Sequence, residues 1–197
     1  MKNQKSTHNS SWNTVYVALG VSIVFFSCVF LLNGYDEASV RINIRWSAKF
    51  SLVCFCLAFG ASSLSKLLKN NFSNWLVKHR RYLGISFALI HLVHLAFLLL
   101  LHRDFDPLFS IRSTLSLALG GLAYLFLVLM LLTSFEKFAT LLSKQNWNRL
   151  HTIGGYWILV VFSFSILARV FLGQVDYIPL GILVVSTWLL RFITWRM

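Results

Sequence analysis

Long apolar stretches separated by short polar connections make up most of this chain. Six of them reach the length of about 20 mostly apolar residues that a helix needs to cross a bilayer. They run from Asn13 to Leu32, Trp46 to Leu67, Tyr82 to Leu101, Leu115 to Thr133, Leu150 to Leu172, and Ile178 to Trp195. The connections hold nearly all the charges, and none is long enough for a second domain. Lys2 and Lys5 precede the first run as they would in a signal peptide. That run is long for a cleavable segment and ends in no small-x-small site, so it reads as a helix. The expected fold is an all-α integral membrane protein, a six-transmembrane-helix bundle over residues 13–195 behind a cytoplasmic segment 1–12.

Composition agrees with that pattern and excludes the alternatives. The chain is 57% hydrophobic, 16% aromatic and 12% charged, with a mean hydropathy of +0.71. A soluble domain carries about 25% charged residues. Eighteen Phe and seven Trp exclude a disordered chain, which would be poor in aromatics. The isoelectric point near 10.1 does not signal nucleic acid. Membrane proteins retain Lys and Arg in cytoplasmic loops, and no basic domain is present to bind phosphates. Cys28, Cys54 and Cys56 lie in apolar runs without a CxxC pair, so they read as membrane-core thiols.

Charge also sets orientation. Lys2, Lys5, Lys66, Lys69, Lys78, Arg80, Arg81, Lys137, Lys144, Arg149, Arg191 and Arg196 flank one side, with Glu136 as its one acid. Arg41, Arg45, Lys49, Arg103, Arg112 and Arg169 flank the other, with Asp36, Glu37, Asp104, Asp106 and Asp176. Twelve basic residues against six place both termini in the cytoplasm by the positive-inside rule.

Ionisable groups inside hydrocarbon are costly and therefore informative. Here they gather on two spans. His91 and His94 lie near the middle of the third, with His102 at its outer end on the same face. His151 opens the fifth, and Arg169 follows 18 residues, or five turns, later. Gly154 and Gly155 follow His151, where small residues allow close helix contact or the approach of a flat cofactor; Gly120 and Gly121 repeat the pair without a histidine. Buried imidazoles serve haem ligation, proton relays or helix pairing. A relay wants acids, and no Asp or Glu lies well inside a span; a structural zinc site wants four clustered ligands. Spacing alone leaves haem and helix pairing level.

The segment HRRYLGISFALIHLVHL from His79, followed by NWNRLHTIGGYW from Asn146, resembles the ferric-reductase-like transmembrane domain. That family includes ferric reductases, NADPH oxidases and the haem-binding membrane subunit of the bacterial periplasmic methionine sulfoxide reductase system, the nearest likeness. The likeness covers the second to fifth spans and is moderately specific when its motifs occur in this order. It implies one b-type haem, rather than two, held between the third and fifth spans of a bacterial inner-membrane protein that relays electrons. By position the family's histidines fall on His94 and His151, with His91 as a further ligand candidate. Arg80, Arg81 and Arg149 would pair the propionates. The family's second fifth-span histidine falls on Phe164, which cannot ligate iron. No flavin or nicotinamide domain is expected, so a separate flavin reductase or quinol would donate electrons to a periplasmic acceptor.

Depth complicates this ligand set. His94 lies about 20 Å beyond Arg81 along its helix and His151 only about 3 Å beyond Arg149. Three arrangements remain open: His91 with His151; His79 with His151 near the inner face; or a single ligand, with five-coordinate haem or none. His79, in a basic run, reads more readily as a loop residue. The competing expectation is a haem-free membrane subunit acting through helix contacts with a partner.

Overall fold

Polar caps, rather than hydropathy, decide where the helices begin. In the computed structural model, residues 2–105 and 114–195 are described, with side chains from Ser11 to Phe105 and from Ala118 to Trp195. Asp106, Arg112 and Arg196, which entered the charge count, lie outside the described residues. Seven helices occur among them: α1 (Lys2–Asn33), α2 (Glu37–Leu68), α3 (Asn71–Asp104), α4 (Thr114–Leu132), α5 (Glu136–Ala139), α6 (Lys144–Phe171) and α7 (Ile178–Trp195). No strand is present among the described residues.

Asp36 Oδ1 accepts the Ser39 N–H at 2.8 Å, which starts α2 nine residues before its apolar run. Asn70 and Ser73 form a reciprocal capping box, with Ser73 N–H to Asn70 Oδ1 at 2.9 Å and Asn70 N–H to Ser73 Oγ at 3.1 Å. That box starts α3 eleven residues before Tyr82. Ser143 Oγ accepts the Asn146 N–H at 3.2 Å and caps α6. The 34-residue α3 is therefore about 51 Å long, well beyond a hydrocarbon core of about 30 Å. Its ends project into the polar layers.

Helix ends are equally specific. Gly173, at φ +79°, closes α6 in a Schellman motif, with Gln174 N–H to Arg169 O and Gly173 N–H to Val170 O, both at 3.0 Å. Between α2 and α3, Lys69 takes the left-handed conformation at φ +47°. This is a position glycine would occupy at lower cost.

The Asp36 carboxyl is held below the usual carboxylate range by its bonds from the Ser39 side chain and backbone. The folded form thus favours the carboxylate. The stabilisation is present above the unfolded pKa and is lost as pH falls through the lower folded value. Acidification should therefore accelerate hydrogen exchange at the Ser39 amide. Asp36→Asn, which keeps the cap without the charge, should remove that pH dependence, and an unchanged acid profile in the variant would show the cap is not its source.

Among the described residues five helices are long and apolar enough to cross a membrane: Ser11–Asn33, Glu37–Leu68, Asn71–Asp104, Lys144–Phe171 and Val175–Trp195. The fourth expected span is shorter among the described residues, an apolar helix over Ala118–Leu132. The molecule is all-α and of multi-pass membrane type, with five long apolar helices and one shorter one among the described residues.

The chain forms two compact units. The first comprises residues 1–58 and 78–114, and the second residues 59–77 and 115–197. In the first, Val40, Leu52, Phe55, Ile85, Phe87 and Ile90 are buried. Phe26, Phe50 and Phe97 interlock there, the Phe26 and Phe97 rings meeting edge-on at 5.2 Å and Phe26 and Phe50 at 6.1 Å. In the second, Leu127, Ile158, Leu159, Ile166 and Val184 form the core.

Candidate functional site

In the first unit α2 presents a polar stripe. Ser39, Asn43, Ser47 and Ser51 recur every four residues, on one helix face, and each is 0% exposed. That face meets the two mid-span histidines of α3. Ser51 Oγ lies 2.9 Å from His91 Nδ1, and Ser47 Oγ lies 3.0 Å from His94 Nδ1. His94 Nδ1 is also 3.0 Å from the Ile44 carbonyl. A carbonyl only accepts, so His94 carries its proton on Nδ1 and donates it to α2. Ser51 donates its own hydroxyl to Ala48 O at 2.9 Å, so His91 Nδ1 is likewise the donor toward Ser51. The two imidazoles stack, 4.9 Å apart and 20° from parallel. Phe87 lies 5.7 Å below His91 and meets Phe55 at 5.1 Å, closing the stripe with an apolar layer.

Toward the other end of the stripe, Asn43 Oδ1 and His102 Nδ1 are buried without a hydrogen-bond partner among the described residues. Each such atom costs about 1–3 kcal/mol unless water reaches it.

His151 belongs to the second unit. Its Nε2 is 3.1 Å from Thr133 Oγ1, and its ring stacks on Trp147 at 4.0 Å. Thr133 gives its hydroxyl proton to Leu129 O at 2.7 Å, so His151 Nε2 carries a proton and donates it. Trp147 Nε1 donates to Thr133 O at 3.0 Å, completing a closed cluster where α4 ends and α6 begins.

These positions correct the expectation of a b-type haem. Among the described residues no group of three or more His, Cys, Asp or Glu is placed to hold a metal ion. His91 and His94 lie one turn apart on one helix and both direct Nδ1 to α2, so they do not oppose each other across a porphyrin. His151 holds its Nε2 proton against Thr133 rather than offering a lone pair there. Phe164, at the family's second histidine position, is 72% exposed.

The remaining candidates separate as follows. His79 is no loop residue: it lies inside α3 and is buried at 6%. Arg81 lies over the Tyr82 ring at 6.0 Å, and Arg80 is exposed beside it along the same helix. Arg149 is exposed on α6. Arg169 donates from Nη1 to the Tyr177 hydroxyl at 3.1 Å and covers that ring at 4.9 Å, which pins the 3₁₀ turn Val175–Tyr177 before α7. Gly154 and Gly155 serve side-chain packing: a Cβ at Gly154 would meet Met130 Sδ at 2.7 Å, and one at Gly155 would overlap the Phe59 ring. The four-residue polar period of α2 was the signal present in the sequence that hydropathy alone concealed.

No protein-family model matches this chain, and no curated protein is similar to it.

Proposed function

We propose that this chain is a haem-free, six-span membrane subunit that keeps a ferric-reductase-like scaffold and works through a partner's transmembrane helix docked on α1. The partner replaces the electron donor and acceptor that the family resemblance implied. In this reading the histidines register helices, His91 and His94 against α2 and His151 against the end of α4, as hydrogen-bonding side chains do inside membranes.

The observation that carries the reading is a groove on α1. Val17, Gly20, Val21, Val24, Phe25 and Cys28 line a shallow, open apolar groove. Their spacing of three and four residues marks a single helix face. Gly20 sits within it with nothing in 4 Å of the position its Cβ would take. Gly154, Gly155 and Gly181 each accommodate a neighbouring side chain in the chain's own packing. Gly20 does not, and a small residue on a membrane-facing groove permits another helix to approach closely.

Two measurements test the reading. Protein expressed with ample haem should show no Soret band. A stoichiometric band lost on His91→Ala or His94→Ala would overturn the haem-free assignment. In native gels of mild-detergent extracts, the chain should migrate in a complex larger than its own mass, and Gly20→Ile should release it without changing its helicity. Identical migration of wild type and Gly20→Ile would remove the groove as the contact.

A further inference from the structure

At one end of the second unit, α2 and α7 share a polar edge. Phe59, Ser63 and Lys66 fall at i, i+4 and i+7 on α2, and Thr187, Arg191 and Thr194 repeat that spacing on α7. Thr194 Oγ1 donates to Ser63 Oγ at 2.7 Å in a buried contact. Lys66 Nζ lies 3.5 Å from the Thr194 carbonyl. Arg191 is held more firmly. Its guanidinium lies over the Phe59 ring at 4.4 Å and the Tyr156 ring at 5.1 Å, and Nε donates to the Tyr156 hydroxyl at 3.3 Å.

The aromatic support is built from further inside. Gly155 lets Phe59 settle against α6, and Tyr156 is backed by Trp188 at 5.8 Å. Trp188 in turn donates from Nε1 to Ser163 Oγ at 3.0 Å. The cation is therefore fixed in place, and only one of its five N–H donors is engaged within the described residues.

No carboxylate among the described residues pairs with Arg191 or Lys66. Both cations stand near helix ends, Arg191 four residues from Trp195 and Lys66 two from Leu68. That is about 6 Å and 3 Å of helix, within the headgroup layer of a bilayer. Two positive charges on the same polar edge of α2 and α7, one of them immobilised, call for an anion from outside the chain. Beside them Leu68, Ile193 and Trp195 are exposed apolar surface suited to acyl chains.

We propose that Arg191 and Lys66 form a binding site for the phosphate of an anionic phospholipid. Arg191 supplies directed Nη donors to the phosphate oxygens, Lys66 supplies a mobile second charge, and the adjacent apolar residues take the tails. Basic pockets between transmembrane helices bind anionic headgroups by this combination.

The test uses the purified full chain in nanodiscs of mixed phosphatidylglycerol and phosphatidylcholine, with the lipid released and retained on detergent extraction measured by native mass spectrometry. Wild type should retain phosphatidylglycerol preferentially. Arg191→Gln should lower that preference about five-fold, in line with the contribution of one basic residue at a membrane surface. Arg191→Lys should lower it less, and Lys144→Gln, an exposed cation elsewhere on the unit, should leave it unchanged. If Arg191→Gln fails to fold by circular dichroism, the exposed Lys66→Gln carries the same expectation. Equal retention of the two lipids by wild type, or an equal loss in Lys144→Gln, would overturn the site. Millimolar inorganic phosphate should leave the preference intact; its disappearance would assign the site to free phosphate and overturn the lipid.

Discussion

Replacing Gly155 with leucine should unfold the second unit. A Cβ at this position overlaps the Phe59 ring, with Cδ2 at 2.9 Å and Cζ at 3.2 Å beyond the nearest atom. The ring has little room to retreat, because Arg191 covers it at 4.4 Å and Tyr156 meets it edge-on at 5.3 Å. Even Gly155→Ala should cost about 1–3 kcal/mol, the usual penalty for forcing volume into a packed interior. Leucine adds three more carbons to the same clash. Gly154→Ala should be milder, since its closest contact is the flexible Met130 Sδ at 2.7 Å. Gly120→Ala and Gly121→Ala meet nothing within 4 Å and should stabilise α4 by up to about 1 kcal/mol through helix propensity. Thermal melts followed by size-exclusion in detergent would rank the five variants. Gly155→Ala melting with wild type would mean that Phe59 does not depend on the missing side chain.

The apolar runs located the helices because a bilayer-crossing segment must be apolar over most of its length. They did not locate the helix ends. Glu37–Arg45 and Asn71–Arg81 are polar enough to read as connections, yet both are helical, with Ser39, Val40 and Asn43 buried in one and Ser73, Leu76 and His79 in the other. Their caps were visible as Asp36 before Ser39 and Asn70 before Ser73, a signature that a hydropathy window averages away. His79 was misplaced for the same reason: the basic residues around it outweighed its position on the buried face of α3.

The site was legible in its parts and not in its pairing. Histidines inside apolar runs announced that something unusual occupied those helices, but one-dimensional spacing could not say what the ring nitrogens faced. Two facts decided that. Serines at four-residue intervals on α2 match His91 and His94 on α3, and Thr133 closes on His151 where α4 gives way to α6. Serine and threonine carry little weight in a hydropathy count, yet within a membrane they satisfy imidazole protons as readily as a metal ligand set would employ the lone pairs. The glycine pair was legible as a contact through small residues, and its partners Phe59, Phe126 and Met130 came only from the fold.

A double-mutant cycle between Ser51 and His91 should give a coupling of about 1 kcal/mol, within the range of roughly 0.6–1.7 kcal/mol found for hydrogen bonds between membrane helices. Ser51→Ala removes the hydroxyl 2.9 Å from His91 Nδ1, and His91→Leu removes the donor while keeping bulk against Phe87. Together they should cost less than the sum of the two, because the second change no longer strands a buried polar group. The neighbouring pair provides an internal contrast. His94 Nδ1 keeps the Ile44 carbonyl at 3.0 Å when Ser47 loses its hydroxyl, so the Ser47→Ala/His94→Leu coupling should be the smaller of the two. Both cycles are read from reversible unfolding in detergent. Additive costs at Ser51 and His91 would show that the imidazole does not hold α3 to α2, and the helix-registering role proposed for the histidines would fall with it.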